Sequence, residues 1–219
     1  LVLPWESVYE LGGAFVQWEV ATAAACCLLQ VNPFDQPDVQ ESKIRTKQLT
    51  EAYVKDGKLP SQKPVWENDI AAVYGENLES VVSAQSLQEV IAHFLKRVNV
   101  GDYVGVNAYV PRNDKTLNEL TKMRSAITKK TVTATTLGYG PRFQHSTGQL
   151  HKGGPNTGVF IEITAESTGD ADIPGWGMPF SVLEAAQALG DFETLKARKR
   201  RVIHIHLKKP FKHGMLEIK

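Results

Sequence analysis

Apolar positions recur at threes and fours along the first part of the chain, at Val8, Leu11, Phe15, Trp18, Ala21, Ala25 and Leu28. That spacing predicts a buried helix over about residues 7–30, weakened in its first turns by Gly12-Gly13. A second amphipathic helix reads from Pro37 to Lys55 and stops at Asp56-Gly57, because glycine readily takes the left-handed conformation that ends helices. Residues 58–85 hold Pro60, Pro64 and mixed polar side chains, which predicts a connector with one short strand at Ile70–Tyr74. From residue 86 the pattern alternates. It predicts helices at 86–97, Lys115–Lys129 and Pro179–Arg198, and strands at Tyr103–Val110, Val132–Leu137, Val159–Thr164 and Val202–Leu207. Such alternation implies an α/β fold, a three-layer sandwich whose largely parallel sheet is flanked by helices. Three segments follow: a helical part over 1–57, the connector at 58–85, and a C-terminal α/β domain over 86–219. The stretch from Gly138 to Asn156 is expected to be a long loop after a strand, rich in Gly, His and Lys, and loops of that length in compact domains usually carry function. There is no internal repeat and no low-complexity tract.

Composition narrows the function classes. The chain has 219 residues, enough to bury a core without staples, and its 25 Lys and Arg against 24 Asp and Glu leave a formal charge of +1. That balance gives no electrostatic case for a nucleic acid or an acidic membrane as partner. The run Lys196-Ala-Arg-Lys-Arg-Arg201 is the local exception, and it reads as a basic helix end complementing the helix dipole before a buried strand. Cys26 and Cys27 are adjacent in an Ala-rich run, so they cannot form an ordinary bridge and are expected to pack as small hydrophobes, which suits a reducing cytoplasm. No stretch is expected to span a bilayer, since Val20 to Leu29 is short and follows a Glu-containing segment. The opening on Leu1-Val-Leu3 reads as the back part of something longer.

The most informative segment runs from Asn32 to Lys43, Asn-Pro-Phe-Asp-Gln-Pro-Asp-Val-Gln-Glu-Ser-Lys. Pro37 suits a first helical turn, and Asp38 and Glu41 suit the positive end of the dipole, so helix is expected to begin near Gln36. Seven residues is two turns within about 20°, which would set a Gln36 amide and a Lys43 ammonium roughly 10 Å apart on one stripe, a gap that fits a small polyhydroxylated ligand.

This segment resembles the active-site motif of glucose-6-phosphate isomerases, Asn-Pro/Ser-Phe-Asp-Gln-x-x-Val with lysine seven residues after the glutamine. Glu10 to Thr22 is similar to the helix leading into that motif, specifically in bacterial transaldolase/glucose-6-phosphate isomerase fusions, and the likeness continues through Gly138 to Asn156. The resemblance implies that residues 1–57 complete an upstream sugar-isomerase (SIS) domain and that the α/β part is SIS-like. It implies interconversion of glucose 6-phosphate and fructose 6-phosphate in the cytoplasm, with no cofactor and no metal. The N-terminal remainder of the same polypeptide and, in a homo-oligomer, further copies of the chain would be its partners.

Such an isomerisation needs ring opening, a base that moves a proton between C1 and C2, and donors for the developing oxyanion. Gln144-His-Ser-Thr-Gly-Gln-Leu-His151 is similar to the Gln-His pattern around the family's ring-opening histidine, with one residue fewer before the second histidine. The resemblance makes Lys43 and His145 the catalytic candidates. Gln36, Arg142, Gln149 and Lys152 become substrate contacts, and His151 a supporting residue. The order departs from ordinary members, where the histidine precedes the lysine motif. The enediol carboxylate is missing: Glu19 lies early in the first helix, and position 40 is Gln40 where many relatives carry glutamate. A metal site at His145 and His151 with His204 and His206 lacks a third well-placed ligand, and no nucleotide-binding spacing of glycines is present. A non-catalytic sugar-phosphate-binding module, or a structural domain, is the competing expectation.

Overall fold

The computed structural model describes Pro4, residues 7–145, 147–167 and 169–209, and Phe211. It comprises two compact units, residues 1–36 and 37–219.

The first unit is built around α1 (Glu10–Leu29), which ends at Gln30 in the left-handed conformation, with the Gln30 N–H donating to the Cys27 carbonyl and that of Val31 to the Cys26 carbonyl. The expected helix forms, but the expected burial does not. Ala14 is its one buried residue, while Phe15, Trp18 and Leu28 are exposed. Its apolar side chains run all round the helix, so periodicity selects no buried stripe. By length and composition α1 is also the one helix among the described residues long and apolar enough to cross a bilayer, which corrects the expectation that no stretch would be.

The second unit contains α2 (Pro37–Asp56), β1 (Trp66–Glu67), β2 (Ala71–Gly75), α3 (Leu87–Leu95), β3 (Tyr103–Tyr109), α4 (Asp114–Thr131), β4 (Ala134–Tyr139), α5 (Thr147–Gly153), β5 (Gly158–Ala165), α6 (Phe180–Ala197) and β6 (Arg201–Leu207). The strands form one sheet in the order β1-β2-β6-β5-β3-β4. Pairs β3–β4, β3–β5 and β5–β6 are parallel, while β2 runs antiparallel to β6 and to β1. The unit is therefore α/β with a mostly parallel mixed sheet flanked by helices. The segment expected to be a connector supplies two strands of that sheet.

Alternation along the strands separates two faces. One presents Val104, Val106 and Ala108 of β3, Val159, Ile161 and Ile163 of β5, and Ile203 and Ile205 of β6, packed with Ile91 and Phe94 of α3 and Leu120, Met123 and Ile127 of α4 in one apolar core. The opposite face carries Phe160 and Val202 against Phe192 and Leu195 of α6, and it also carries Asn107, Glu162, Thr164, His204 and His206. Polar chemistry thus collects on the α5/α6 side. Helix α2 packs on α6 and α5. Arg198 joins them by ion pairs of 2.7 Å to Asp38 and 2.9 Å to Glu41, and at Gly190 an added Cβ would lie 3.0 Å from the Thr46 hydroxyl. The boundary expected after residue 57 accordingly falls at Gln36, because α2 buries its contacts against α6.

Candidate functional site

The Gly138–Asn156 motif is mostly helical, which corrects the expectation of a long loop. A 3-10 turn over Arg142–His145 is followed by α5. Its glycines answer to packing. A Cβ on Gly140 would stand 2.3 Å from the Tyr109 ring, and one on Gly138 would stand 2.9 Å from Phe143 Cβ. That closeness lets Phe143 meet Tyr109 edge to face at 5.7 Å, and Gln144 Nε2 donates to the Tyr109 hydroxyl at 2.6 Å and to the Gln187 carbonyl at 3.2 Å. Anchored on both sides in this way, the turn presents His145 outward.

There His145 lines a cavity that α2 also lines. Lys43 and His145, both exposed, line one cavity of about 640 Å³ together with Lys47, Gln144, Trp176 and Gln187. Two groups a hundred residues apart in sequence are brought to one concavity by the packing of α2 on α6 and by the turn after β4. Lys47 is held at 3.8 Å from Glu51, which also lines the cavity. The other sequence-predicted residues lie elsewhere. Gln36 belongs to the first unit, and Arg142 sits on the turn without lining the cavity.

Gln149 and Lys152 occupy structural positions. Gln149 Oε1 accepts the Asp38 N–H at 3.1 Å while its Nε2 donates to Asp38 Oδ2 at 2.7 Å, so it ties the first turn of α2 to α5. Lys152 is fully buried and its ammonium forms an ion pair with the equally buried Asp191 of α6. Its burial leaves no solvent-open face for the substrate contact expected of it.

Around Lys152 lies a buried polar layer that residue patterns alone did not single out. Neither Glu162 oxygen has a hydrogen-bond partner among the described residues. Burial first, and the Asp191 charge second, push its carboxyl well above the ordinary range, whereas Lys152 opposes the shift. Burial likewise raises Asp191, against the pull of Lys152. The neighbouring His151 ring lies 4.6 Å from that of Phe160 and 3.5 Å, atom to atom, from Asn107 Nδ2. Burial, and then Lys152, hold that imidazole down to about 4, so it is neutral at physiological pH. A signal for this layer exists in the chain: Glu162 interrupts the otherwise apolar run Val159-Phe-Ile-Glu-Ile163, which suits a strand covered on both faces. Among the described residues no cluster of three or more His, Cys, Asp or Glu side chains is placed to hold a metal ion.

No protein-family profile matches the chain, and no curated protein matches it. Among solved structures, a hypothetical protein of Thermus thermophilus is 19% identical over 56% of this chain, with a TM-score of 0.47. The matched part spans 34% of that protein.

Proposed function

We propose that this chain supplies part of the site of a sugar-phosphate isomerase of the SIS type, interconverting glucose 6-phosphate and fructose 6-phosphate, as in transaldolase/glucose-6-phosphate isomerase fusions. The observation that supports the reading is the shared cavity of Lys43 and His145, whose volume of about 640 Å³ falls in the range of small-molecule sites. An ammonium and an imidazole facing one concavity can divide the ring-opening work. One gives a proton to the ring oxygen while the other takes the anomeric hydroxyl proton. Lys43 and Lys47 also give the cavity the sign that a phosphate ester needs. Gln144 and Gln187 add amide groups for hydroxyls. The chemistry needs no cofactor, and the reading implies a cytoplasmic enzyme.

The carboxylate that would carry the C1–C2 proton is unassigned. Glu51 is the one carboxylate lining the cavity among the described residues, and it stands beside Lys47. On this reading the proton-transferring group, and an oligomeric partner if one completes the site, come from outside the described cavity. The same observation favours a second reading, a module that binds sugar phosphate without turning it over.

A coupled fructose 6-phosphate isomerisation assay on the full-length polypeptide, with calorimetric binding of fructose 6-phosphate in parallel, separates the two. For the isomerase, Lys43→Ala and His145→Gln each lower kcat by about 100-fold or more, the scale of acid–base catalysis, and leave any transaldolase activity intact. Tight binding with no turnover in the unaltered protein selects the binding module. Unchanged turnover in both variants removes the cavity from the reaction.

A further inference from the structure

A second cavity, of about 760 Å³, opens at the carboxyl ends of β5 and β6 on the face that α6 covers. It lies beside the place where the sheet changes winding direction, since β4 flanks β3 on one side and β5 on the other. In open α/β sheets this is where ligands collect. Its polar lining is set by strand register: Thr164 lies opposite His206, Tyr74 lies opposite His204, and the two histidines, two residues apart, share a face.

The proton positions follow from hydrogen-bond accounting. Thr164 Oγ1 stands 2.8 Å from His204 Nε2 and 2.9 Å from His206 Nδ1, and His206 Nε2 stands 3.3 Å from Glu166 Oε1. A carboxylate only accepts, so His206 carries its proton on Nε2 and, when neutral, offers a lone pair at Nδ1. The Thr164 hydroxyl donates its single proton there. Only lone pairs of Thr164 then remain for His204, whose Nε2 must donate, and His204 keeps an acceptor lone pair at Nδ1. Among the described residues that nitrogen has no hydrogen-bond partner. Burial, with the neighbouring His206, holds His204 down to about 3, which keeps the ring neutral.

The rest of the lining agrees with this polarity. Glu184 is half-buried, has no partner among the described residues, and is raised by burial. The rings of Tyr74 and Phe192 flank His204 at 5.5 Å and 5.4 Å. Among the described lining residues there is no lysine or arginine, while Glu166, Asp170 and Glu184 are carboxylates. We infer that this cavity binds a small organic cation, a protonated amine carried on an apolar or aromatic body. Such a ligand donates to the His204 lone pair and to Glu184, supplies the charge that Glu184 lacks, and places a cation near aromatic faces. A phosphate ester would bring the wrong sign, so this site is separate from the Lys43 cavity in both place and chemistry.

The probe is 2-phenylethylamine, titrated into the full-length protein by calorimetry near neutral pH, with phenylacetate as its anionic counterpart. Saturable binding of the amine, none of phenylacetate, and at least about tenfold weaker amine binding in Glu184→Gln are expected. Circular dichroism confirms that the variant is folded, and its fructose 6-phosphate isomerisation should be unaltered. Equal or tighter binding of phenylacetate overturns the inference. So does undiminished affinity in Glu184→Gln, or no saturable binding of the amine up to about 10 mM, a concentration well above the millimolar range of weak specific sites. Nitrogen-15 spectra of the histidines test the proton accounting directly: a His204 ring protonated on Nδ1 removes the acceptor and the proposal with it.

Discussion

Replacing Lys152 with methionine keeps the length and most of the volume of the side chain while deleting its charge, and it isolates what the buried polar layer does for the fold. Lys152 is 0% and Asp191 1% exposed, so each ion is fully withdrawn from water and depends on the other. Removing one partner of such a pair costs about 3–5 kcal/mol, because the remaining charge stays buried without compensation. At about 2–4 °C per kcal/mol for a domain of this size, Lys152→Met should lower Tm by roughly 6–20 °C. Asp191→Leu alone should cost a similar amount by stranding the ammonium. The double variant should recover most of the loss, since a buried pair exchanged for apolar groups of like volume is often neutral or stabilising. Glu162 does not upset this balance. Desolvation is the leading cause of its raised carboxyl, and that cause is unchanged when both charges are gone. Urea unfolding followed by tryptophan fluorescence, with buried Trp66 as a core reporter, gives the three stabilities. A Lys152→Met protein within about 1 kcal/mol of the parent, or a double variant no more stable than either single one, would refute the reasoning.

Two further outcomes are expected. The Arg201 guanidinium, 2.6 Å and 2.9 Å from the two oxygens of Asp102, leads the causes that hold this carboxyl below its ordinary value, with the Asn99 N–H adding to it. The unfolded chain therefore takes up this proton at higher pH than the folded one. The pair's contribution is complete above the ordinary carboxylate value of about 4 and fades as pH falls through the folded value. The stability gap between the parent and Asp102→Asn should accordingly narrow on acidification below about pH 4, and a gap that is constant or widens there contradicts the assignment. For Gln149→Ala, loss of both hydrogen bonds to Asp38 should cost about 1–2 kcal/mol with no change in KM for fructose 6-phosphate. A raised KM at unchanged Tm would instead return Gln149 to the substrate.

Much of the second unit is legible in the linear chain because its signals are local. Ser86 and Asn113 cap α3 and α4 by accepting the N–H of Glu89 and Thr116, and the apolar alternation in β3, β5 and β6 locates these strands to within a residue or two. The misread segments are those whose fate depends on distant partners. The short strand expected at Ile70–Tyr74 does form, as Ala71–Gly75, but the connector around it is not expected to join the sheet: it does so because β6 offers an edge, and no residue within 58–85 encodes that pairing. The motif after β4 reads as a loop because of its glycines, yet Gly138 and Gly140 are there to admit Phe143 and Tyr109, so a residue type that usually marks freedom marks close packing.

The site divides along the same line. The motif around Lys43 and the Gln-His motif around His145 stand out as candidates through their resemblance to a known family's motifs, while the helix start at Pro37 is legible from residue types alone. That Lys43 and His145 line one cavity, that Lys152 turns inward to Asp191 while His145 turns outward, and that Thr164, His204 and His206 hydrogen-bond into a directional chain were decided by the tertiary structure. Periodicity specifies which face of an element is apolar. The partner that face meets, and the solvent lost there, depend on how α2, α5 and α6 stack on the sheet, and it is that loss of solvent which makes a lysine a buried ion, raises a glutamate's carboxyl and leaves a histidine as an acceptor.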